Sequence, residues 1–279
     1  MLRISSLRKH SDLFEVHINI CRLSREKSMK KQRVLITGAG RGIGFAIARV
    51  LAAEGYDLVL NYRSEQGKSI ANLQRFIQSD EAKGIDIRLA KGDIAETRDV
   101  ENMMKALRAD GVDQIDHLVL NAAASPFKPF LEMNKFDWKL LLNSNLVGNV
   151  ACVNEVVPMM KNGGTICILS SMGSRVVMPK YPLGIMKSAL ENLVRYLEVE
   201  LYDRNVRVNG VCAGLVNTDM GPILKEMWPE AVARFEAGKR RWAIEPEEVA
   251  EIVAFLMSPK SSAIRGSTVL ADLGGGLAA

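Results

Sequence analysis

The sequence predicts an α/β fold in which one parallel sheet of about seven strands is covered on both faces by helices. Short apolar runs alternate with longer amphipathic stretches from Arg33 to near the end of the chain. No repeat, linker or change of composition interrupts this alternation, and 279 residues are enough to bury one full core. Strands separated by helices favour parallel pairing, since parallel neighbours need crossover connections. We therefore predict a single domain over residues 33–279.

Each predicted strand is a short run of aliphatic and β-branched residues bounded by turn-forming or polar residues. The predicted strands are 34–37, 58–62, 87–91, 118–121, 165–170, 207–212 and 268–272. The stretches between them carry apolar residues at helical spacing. The predicted helices are 45–55, 64–83, 97–110, 134–160 and 185–203.

The positive charge of the chain is concentrated at its N-terminus. Of the 37 basic residues, nine lie in residues 1–33 beside three acidic ones, so the rest of the sequence is nearly neutral. Such a distribution gives no indication of nucleic-acid binding by the folded domain. Residues 1–32 are predicted to be a disordered basic extension, with Met29 as an alternative start. Enrichment in Arg and Ser gives a weaker transit-peptide interpretation.

Hydropathy and cysteine spacing set the expected environment. The apolar runs are too short to span a bilayer, so we expect no membrane segment. The four cysteines have no CxxC spacing, which predicts neither a metal site nor a disulfide framework. This usage indicates a reducing compartment, and we expect a cytoplasmic protein. Two of the three histidines lie in the basic extension, which argues against histidine-based catalysis.

A glycine-rich loop joins the first predicted strand to the first helix. The string VLITGAGRGIG covers residues 34–44 and places glycines where the backbone must approach a ligand closely. Glycines without Cβ admit a pyrophosphate, and the next helix presents free N–H groups to it. A glycine triplet alone is a weak signal, but its position directly after a buried strand indicates a dinucleotide site.

The residues after the second strand indicate which dinucleotide binds there. A fold of this kind that prefers NAD places an acidic residue at this strand end to bind the ribose 2′-hydroxyl. Here Asn61 stands in that place, and Arg63, Ser64 and Arg41 could approach a 2′-phosphate instead. The alternative is that the arginines are ordinary solvated charges. Because the acid is also missing, the sequence predicts NADP(H).

Several motifs in order along residues 33–276 resemble the short-chain dehydrogenase/reductase family, which implies a Rossmann fold. The family glycine motif TGxxxGxG matches residues 37–44, and its adenine-contacting acid matches Asp93. Its NNAG segment corresponds to residues 120–123, with the second asparagine kept as Asn121, and its helix asparagine matches Asn145. The glycine loop and the resemblance together predict these cofactor-binding residues: Thr37, Gly38, Gly40, Arg41, Gly42, Ile43, Gly44, Asn61, Arg63, Ser64, Asp93, Ile94, Asn121, Ala122, Ala123, Lys187, Gly214, Val216 and Thr218.

The resemblance also implies a catalytic set with one anomaly. Lys187 and Ser171 match the family's lysine and serine, and Asn145 would assist the lysine through water. The family tyrosine stands four residues before the lysine, where this chain has Leu183. Tyr181 is the nearest phenol, and Pro182 behind it favours a helix that begins there and leaves Tyr181 outside. We predict Tyr181 as the catalytic acid; the alternative is an ordinary aromatic residue at a helix start.

The wider spacing of tyrosine and lysine resembles the enoyl-acyl-carrier-protein reductase branch, which has Yx6K where this chain has Yx5K. Reduction of a conjugated C=C bond puts negative charge on an oxygen farther from the carbon that takes the hydride, so a set-back phenol suits it. The long segment 215–243 resembles the family's substrate lid and suggests an apolar, acyl-like substrate, either a thioester or bound to a carrier protein. The resemblance also implies a homo-oligomer, either a tetramer or a dimer.

Three functions remain open from sequence. The first is an NADPH-dependent reductase of a conjugated C=C bond, in an enoyl thioester or an enone. The second is a reductase of 3-oxoacyl thioesters or other ketones on the same fold. The third is a catalytically weak NADP(H)-binding regulatory protein, since Leu183 occupies the usual position of the acid.

Overall fold

The structure is a computed structural model that describes residues 31–219, 221–230, 232–233, 241 and 243–275. Residues from Gln32 onward form one compact unit. Apart from Lys31 and Gln32, the predicted basic extension lies outside the described residues.

The described residues form one parallel sheet, which confirms the predicted fold class. Its strands are β1 (Arg33–Ile36), β2 (Asp57–Tyr62), β3 (Ile87–Lys91), β4 (His117–Leu120), β5 (Gly164–Ser171), β6 (Val206–Ala213) and β7 (Thr268–Ala271). They lie in the order β3-β2-β1-β4-β5-β6-β7, and each neighbouring pair is parallel. The chain therefore reverses its direction of winding between β1 and β4. Doubly wound sheets bind ligands at the carboxyl ends of the strands beside such a point.

The helices cover the sheet on both faces. They are α1 (Gly42–Ala53), α2 (Lys68–Ile77), α3 (Thr97–Ala109), α4 (Lys135–Leu142), α5 (Gly148–Val156), α6 (Leu183–Glu200), α7 (Gly221–Met227) and α8 (Pro246–Met257). Short 3-10 turns occur at Asp80–Ala82, Phe130–Glu132, Val157–Met159, Met172–Ser174, Tyr202–Arg204 and Pro259–Ser261.

Most of the predicted helices agree with the structure to within three residues at each end, and two differ by more. The helix predicted for 64–83 is shorter because Gly67, at φ 95°, forms the turn that precedes Lys68. The helix predicted for 134–160 is divided by one π-helical segment, Asn143–Val147, between α4 and α5. Such wide turns frequently accompany functional residues, and this one holds Asn145.

The core consists of a layer on each face of the sheet. Along β1, Val34 and Ile36 face the layer built by α1, α2 and α8, and Leu35 faces the layer built by α3, α5 and α6. Successive strand residues point to opposite faces, so this alternation follows from the pleat. All three side chains are fully buried, as a sheet covered on both faces requires.

One helical stretch of the described chain, Lys135–Met159, is long and apolar enough to cross a membrane by length and composition. Half of its most apolar window is buried inside the fold. In α5 the buried residues, among them Cys152 and Val156, belong to the core layer beneath α3 and α6. Packing against the sheet therefore accounts for much of its hydropathy.

Candidate active site

The glycine loop stands at the carboxyl end of β1, as predicted. Gly38 and Gly42 have φ of 64° and 53°, in the left-handed region that other residues rarely adopt. A Cβ on Gly44 would meet the Gly38 carbonyl and lie 2.5 Å from the amide nitrogen of Asn121. The loop thus requires glycine at these positions, and it leads directly into the N-terminus of α1. This backbone cradle fits the pyrophosphate of a dinucleotide.

Hydrogen bonds between Thr37 and the segment that begins at Asn121 link the carboxyl ends of β1 and β4. Thr37 Oγ1 accepts hydrogen bonds from the backbone N–H groups of Asn121 and Ala122, at 2.9 and 3.1 Å. Asn121 Nδ2 donates to the Thr37 carbonyl at 2.9 Å. These bonds hold the ends of β1 and β4 at a fixed separation. Ala122 and Ala123 come directly after Asn121, in the loop that leaves β4.

The side chain of Asn61 is turned into the fold and bonded to backbone, so its predicted contact with the cofactor stays a prediction. The residue is 2% exposed. Its Oδ1 accepts from the Gly38 N–H at 3.1 Å, and its Nδ2 donates to the carbonyls of Ala90 and Gly92 at 3.1 and 3.0 Å. The carboxamide is thus used in supporting the glycine loop from below. Strand position alone does not reveal this, because it does not fix what an inward polar group contacts.

Cationic side chains lie at the rim next to this loop. Arg63 is 70% exposed, and its Nη1 lies 3.9 Å from a carboxylate oxygen of Asp93. Arg41 and Ser64 are also exposed. Lys68 was not predicted: from the first turn of α2, its Nζ lies 2.8 Å from Asp219. This exposed pair adjoins Thr218, whose methyl group faces Gly42.

Four further residues predicted to bind the cofactor are Asp93, Ile94, Gly214 and Val216. Asp93 Oδ1 accepts from the Ala95 N–H at 3.0 Å, so this carboxylate also caps its own turn. Ile94 is buried, and its carbonyl lies against Gly148, where a Cβ would clash. Val216 is buried, and the Gly214 N–H donates to the Ala271 carbonyl at 2.8 Å.

The structure brings Ser171 and Tyr181 together. Ser171 Oγ, at the end of β5, lies 3.4 Å from Tyr181 Oη. Pro182 is the N-cap of α6, so Tyr181 lies outside the helix, as predicted. Lys180 has a left-handed φ of 59°, and this turn orients Tyr181 before the helix begins. Burial raises the pKa of Tyr181, partly offset by the Ser171 hydrogen bond, so the phenol keeps its proton at neutral pH.

Aromatic rings enclose the phenol. The ring of Phe127 stacks on Tyr181 with centroids 6.0 Å apart and planes at 26°. Trp228 meets Tyr181 edge-on at 5.5 Å and 82°, and its Nε1 donates to the Pro179 carbonyl at 3.3 Å. Trp228 belongs to the predicted lid, of which Met220, Phe235 and Trp242 lie outside the described residues. The contact of Phe127 with Tyr181 has no signal in the sequence.

Leu183, at the usual position of the tyrosine, is a core residue. It is 7% exposed and packs in a small apolar cluster with Leu141 and Met186. Tyr181 and Trp138 pack against the same cluster. The family position is therefore filled by an aliphatic side chain that cannot carry a proton.

Lys187 is buried one turn into α6. It is 5% exposed, and its Nζ donates to the Leu169 carbonyl at 2.6 Å. Burial lowers its pKa to about 8, so the amine is a cation at neutral pH but loses that charge readily. The hydrogen bond to β5 holds Lys187 beneath the strand that ends in Ser171.

Asn145 supports the loop after β4. It is fully buried, and its Nδ2 donates to the carbonyls of Ala124 and Leu141 at 2.7 and 2.8 Å. Its Oδ1 accepts from the Ala124 N–H at 3.3 Å. These side-chain hydrogen bonds go to backbone, so its predicted link to Lys187 through water stays a prediction.

His117, the one histidine outside the basic extension, lies at the opposite end of the sheet. It begins β4, is 3% exposed, and its Nδ1 is 2.7 Å from Thr165 Oγ1. Burial lowers its pKa to about 4. Its position makes it a structural residue rather than part of this site.

Hydride transfer between a nicotinamide cofactor and a small molecule needs a cradle for the dinucleotide and a group that can supply a proton, and this fold has both at the carboxyl ends of its strands, which is typical of an oxidoreductase. The chain belongs to the short-chain dehydrogenase/reductase family. Residues 38–275 match the family model described as Enoyl-(Acyl carrier protein) reductase.

Named relatives cover most of the chain. "Dehydrogenase/reductase SDR family member 4" of Bos taurus is 33% identical over 264 residues, which cover 91% of this chain and 91% of that protein. A "1-cyclohexenylcarbonyl-CoA reductase" of Streptomyces collinus is 33% identical over 248 residues, which cover 88% of this chain and 87% of that protein.

Solved structures agree with the fold. A short-chain dehydrogenase from Burkholderia cenocepacia in complex with NADP has a TM-score of 0.78 at 28% identity, over 88% of this chain and 98% of that one. The L-sorbose reductase from Gluconobacter frateurii, complexed with NADPH and L-sorbose, has a TM-score of 0.74 at 25% identity, over 88% of this chain and 96% of that one.

Proposed function

We propose that this protein is an NADPH-dependent reductase of a conjugated C=C bond, in an enoyl thioester or an enone. The observation that carries the proposal is the position of Tyr181. It lies ahead of α6 and two residues before the usual tyrosine position, which is occupied by the buried Leu183. The family model that matches and the name of the Streptomyces collinus relative support the same chemistry.

The proposed reaction adds one hydride and one proton across the C=C bond. Bound NADPH would supply the hydride, which adds to the β-carbon of the substrate. The π electrons of the C=C bond then move toward the carbonyl oxygen, which becomes an enolate. Tyr181 stabilises that oxygen by donating a hydrogen bond and then its proton, and the enol tautomerises to the saturated product. Ser171 orients the phenol, and the buried cation of Lys187 would hold the ribose of the cofactor.

A ketone reductase is the second candidate, and the Ser171–Tyr181 contact favours it. In that reaction the hydride adds to the carbonyl carbon and Tyr181 protonates the adjacent oxygen. The Gluconobacter relative is named as such an enzyme for L-sorbose. The third candidate, a catalytically weak NADP(H)-binding protein, draws support from Leu183 alone.

Steady-state turnover with matched substrates tests the proposal. NADPH oxidation is measured with an enoyl thioester and with the 3-oxoacyl thioester of the same chain length. We expect turnover with the enoyl substrate and little with the ketone. Turnover confined to the ketone would replace the proposal by the second candidate. NADPH binding without turnover of either, across several chain lengths, would favour the third.

The preference for NADPH gives a separate prediction at Arg63. Replacement by alanine removes a guanidinium that could pair with the 2′-phosphate, so KM for NADPH should rise by about 10- to 100-fold. KM for NADH should stay unchanged, since that cofactor has no 2′-phosphate. The control is Arg88→Ala, which removes a half-exposed arginine paired with Asp86 elsewhere on the same edge of the sheet. Equal effects on both cofactors would contradict the assignment.

Two further assignments remain proposals. A homo-oligomer is supported by apolar side chains exposed on the helical stretch after Asn134, among them Phe136, Val147 and Val150. A thioester substrate, free or attached to a carrier protein, is supported by the description of the matching family model.

A further inference from the structure

Glu191 stands at the centre of a polar cluster directly beneath the candidate catalytic residues. Its Oε1 accepts hydrogen bonds from Ser170 Oγ at 2.8 Å and from Ser174 Oγ at 2.5 Å. The second carboxylate oxygen lies 3.4 Å from the guanidinium of Arg175. These contacts join α6 to the end of β5 and to the turn that follows it.

The serines that Glu191 holds bracket the catalytic hydroxyl. Ser170 immediately precedes Ser171 in β5, and Ser174 follows in the 3-10 turn Met172–Ser174. A single carboxylate oxygen thus fixes the chain on both sides of Ser171. Ser170 itself is 5% exposed, so its contact with Glu191 is shielded from water. Shielding strengthens a charged hydrogen bond of this kind.

The same cluster also reaches the phenol and the lysine. At Gly173, in the turn held by Ser174, a Cβ would lie 2.7 Å from the Tyr181 ring. That turn therefore supports the ring directly. Glu191 lies one helical turn after Lys187 on α6, so both side chains project from the same side of the helix. Ser188 adds a hydrogen bond from its Oγ to the Ser174 carbonyl at 2.9 Å.

The carboxylate is ionised in this setting. Burial on its own would raise the pKa of Glu191, but hydrogen bonds from Ser174 and Ser170 and the charge of Arg175 outweigh it and hold that pKa below its ordinary value. A charged acceptor binds two hydroxyl donors more firmly than a neutral one.

We infer that Glu191 is a positioning residue, which fixes the Ser170–Ser174 segment against α6 and so sets the approach of Ser171 Oγ to Tyr181 Oη. The inference rests on the proposed site, although it holds for either C=C or C=O reduction. Reacting groups must be held within fractions of an ångström of their productive positions, so loosening this segment lowers the rate of the chemical step.

The test is Glu191→Gln, assayed with whichever substrate the wild type reduces. We expect kcat to fall about 10-fold while KM for NADPH changes less than about 2-fold, because the cofactor cradle is untouched. The matched control is Glu198→Gln. Glu198 is another acid on α6, somewhat more buried than Glu191, and it accepts from the Val208 N–H and pairs with Arg265, away from the serines. The Glu198→Gln variant should be less stable than the wild type and should keep its kcat.

A double-mutant cycle separates positioning from general support. If Glu191 acts through Ser171, then Glu191→Gln should cost much less in a Ser171→Ala background than in the wild type. Should Glu191→Gln fold poorly, Ser174→Ala removes the same contact from the opposite partner and should show the same loss of kcat. Wild-type kcat in the folded variant, or equal losses in both backgrounds, would overturn the inference. Ketone-only turnover by the wild type would overturn the proposed function and leave this inference testable, and an inactive wild type would overturn both.

Discussion

Tyr181→Phe is expected to lower kcat by about 10²- to 10⁴-fold, the range for loss of a positioned proton donor. The variant keeps the ring and its packing against Phe127 and Trp228, and it loses only the hydroxyl near Ser171. The affinity for NADPH, measured by fluorescence titration, should be unchanged. Stopped-flow or steady-state NADPH oxidation measures the loss.

The control for this prediction is Tyr196→Phe, which removes a hydroxyl from an exposed tyrosine on α6. It should leave kcat unaltered. Leu183→Tyr, placed on the Tyr181→Phe background, restores a phenol at the usual family position. Because Leu183 is buried in an apolar cluster, the larger side chain should cost about 1–3 kcal/mol of stability and should not restore enoyl turnover. Full activity of Tyr181→Phe, or rescue by the double variant, would disprove the assignment of Tyr181.

Lys187→Met is expected to have opposite effects on activity and on stability. Turnover should fall about 100-fold or more, because the variant loses the buried cation and with it the proposed contact with the cofactor ribose. Methionine matches the length and flexibility of the lysine stem, so the site should stay filled. Lys105→Met, at an exposed position on α3, provides the control and should keep full activity.

The stability effect follows from the lowered pKa of Lys187. The folded pKa of about 8 lies below the ordinary value of 10.5, so the unfolded chain binds the proton more tightly. The unfolding free energy of the wild type without cofactor should therefore rise with pH between these two values. At pH 7 the variant should be more stable by up to about 3 kcal/mol, and the gap should close toward pH 10.5. Urea titrations of both proteins across this range would reveal it. A constant gap would show that burial does not depress the lysine pKa.

The sequence reveals most of the fold because each strand is a short, fully buried apolar run. Runs as short and apolar as Leu118–Leu120 and Ile166–Leu169 are typical of buried strands. Gly163 and Gly164 mark the turn before the second run. Helix bounds were less accurate, as at Lys68, because the left-handed turn at Gly67 is a property of local backbone rather than of periodicity. The π segment at Asn145 was likewise not visible in an otherwise continuous helical pattern.

The site was predictable where the chain order of motifs constrains it, and less so where tertiary contacts do. The proline rule correctly set Tyr181 outside α6. The same sequence offered no means of placing Phe127 on the phenol, since more than 50 residues separate them. Asn61 was assigned to the cofactor from its position on the strand, whereas its buried amide binds the loop backbone. Glu191 carried no signal of its hydrogen bonds to Ser170 and Ser174, because they bridge a strand end and a helix.

The most direct measurement of the central claim is the fate of a deuteride supplied by NADPH that carries deuterium at both C4 positions. The label is followed by mass spectrometry and NMR of the product formed from an enoyl thioester, with the matching 3-oxoacyl thioester in parallel. If Tyr181 serves C=C reduction, deuterium should appear at the β-carbon of a saturated acyl product, and the 3-oxoacyl sample should stay unlabelled. Deuterium on a newly formed carbinol carbon, with the enoyl thioester recovered unchanged, would contradict the account.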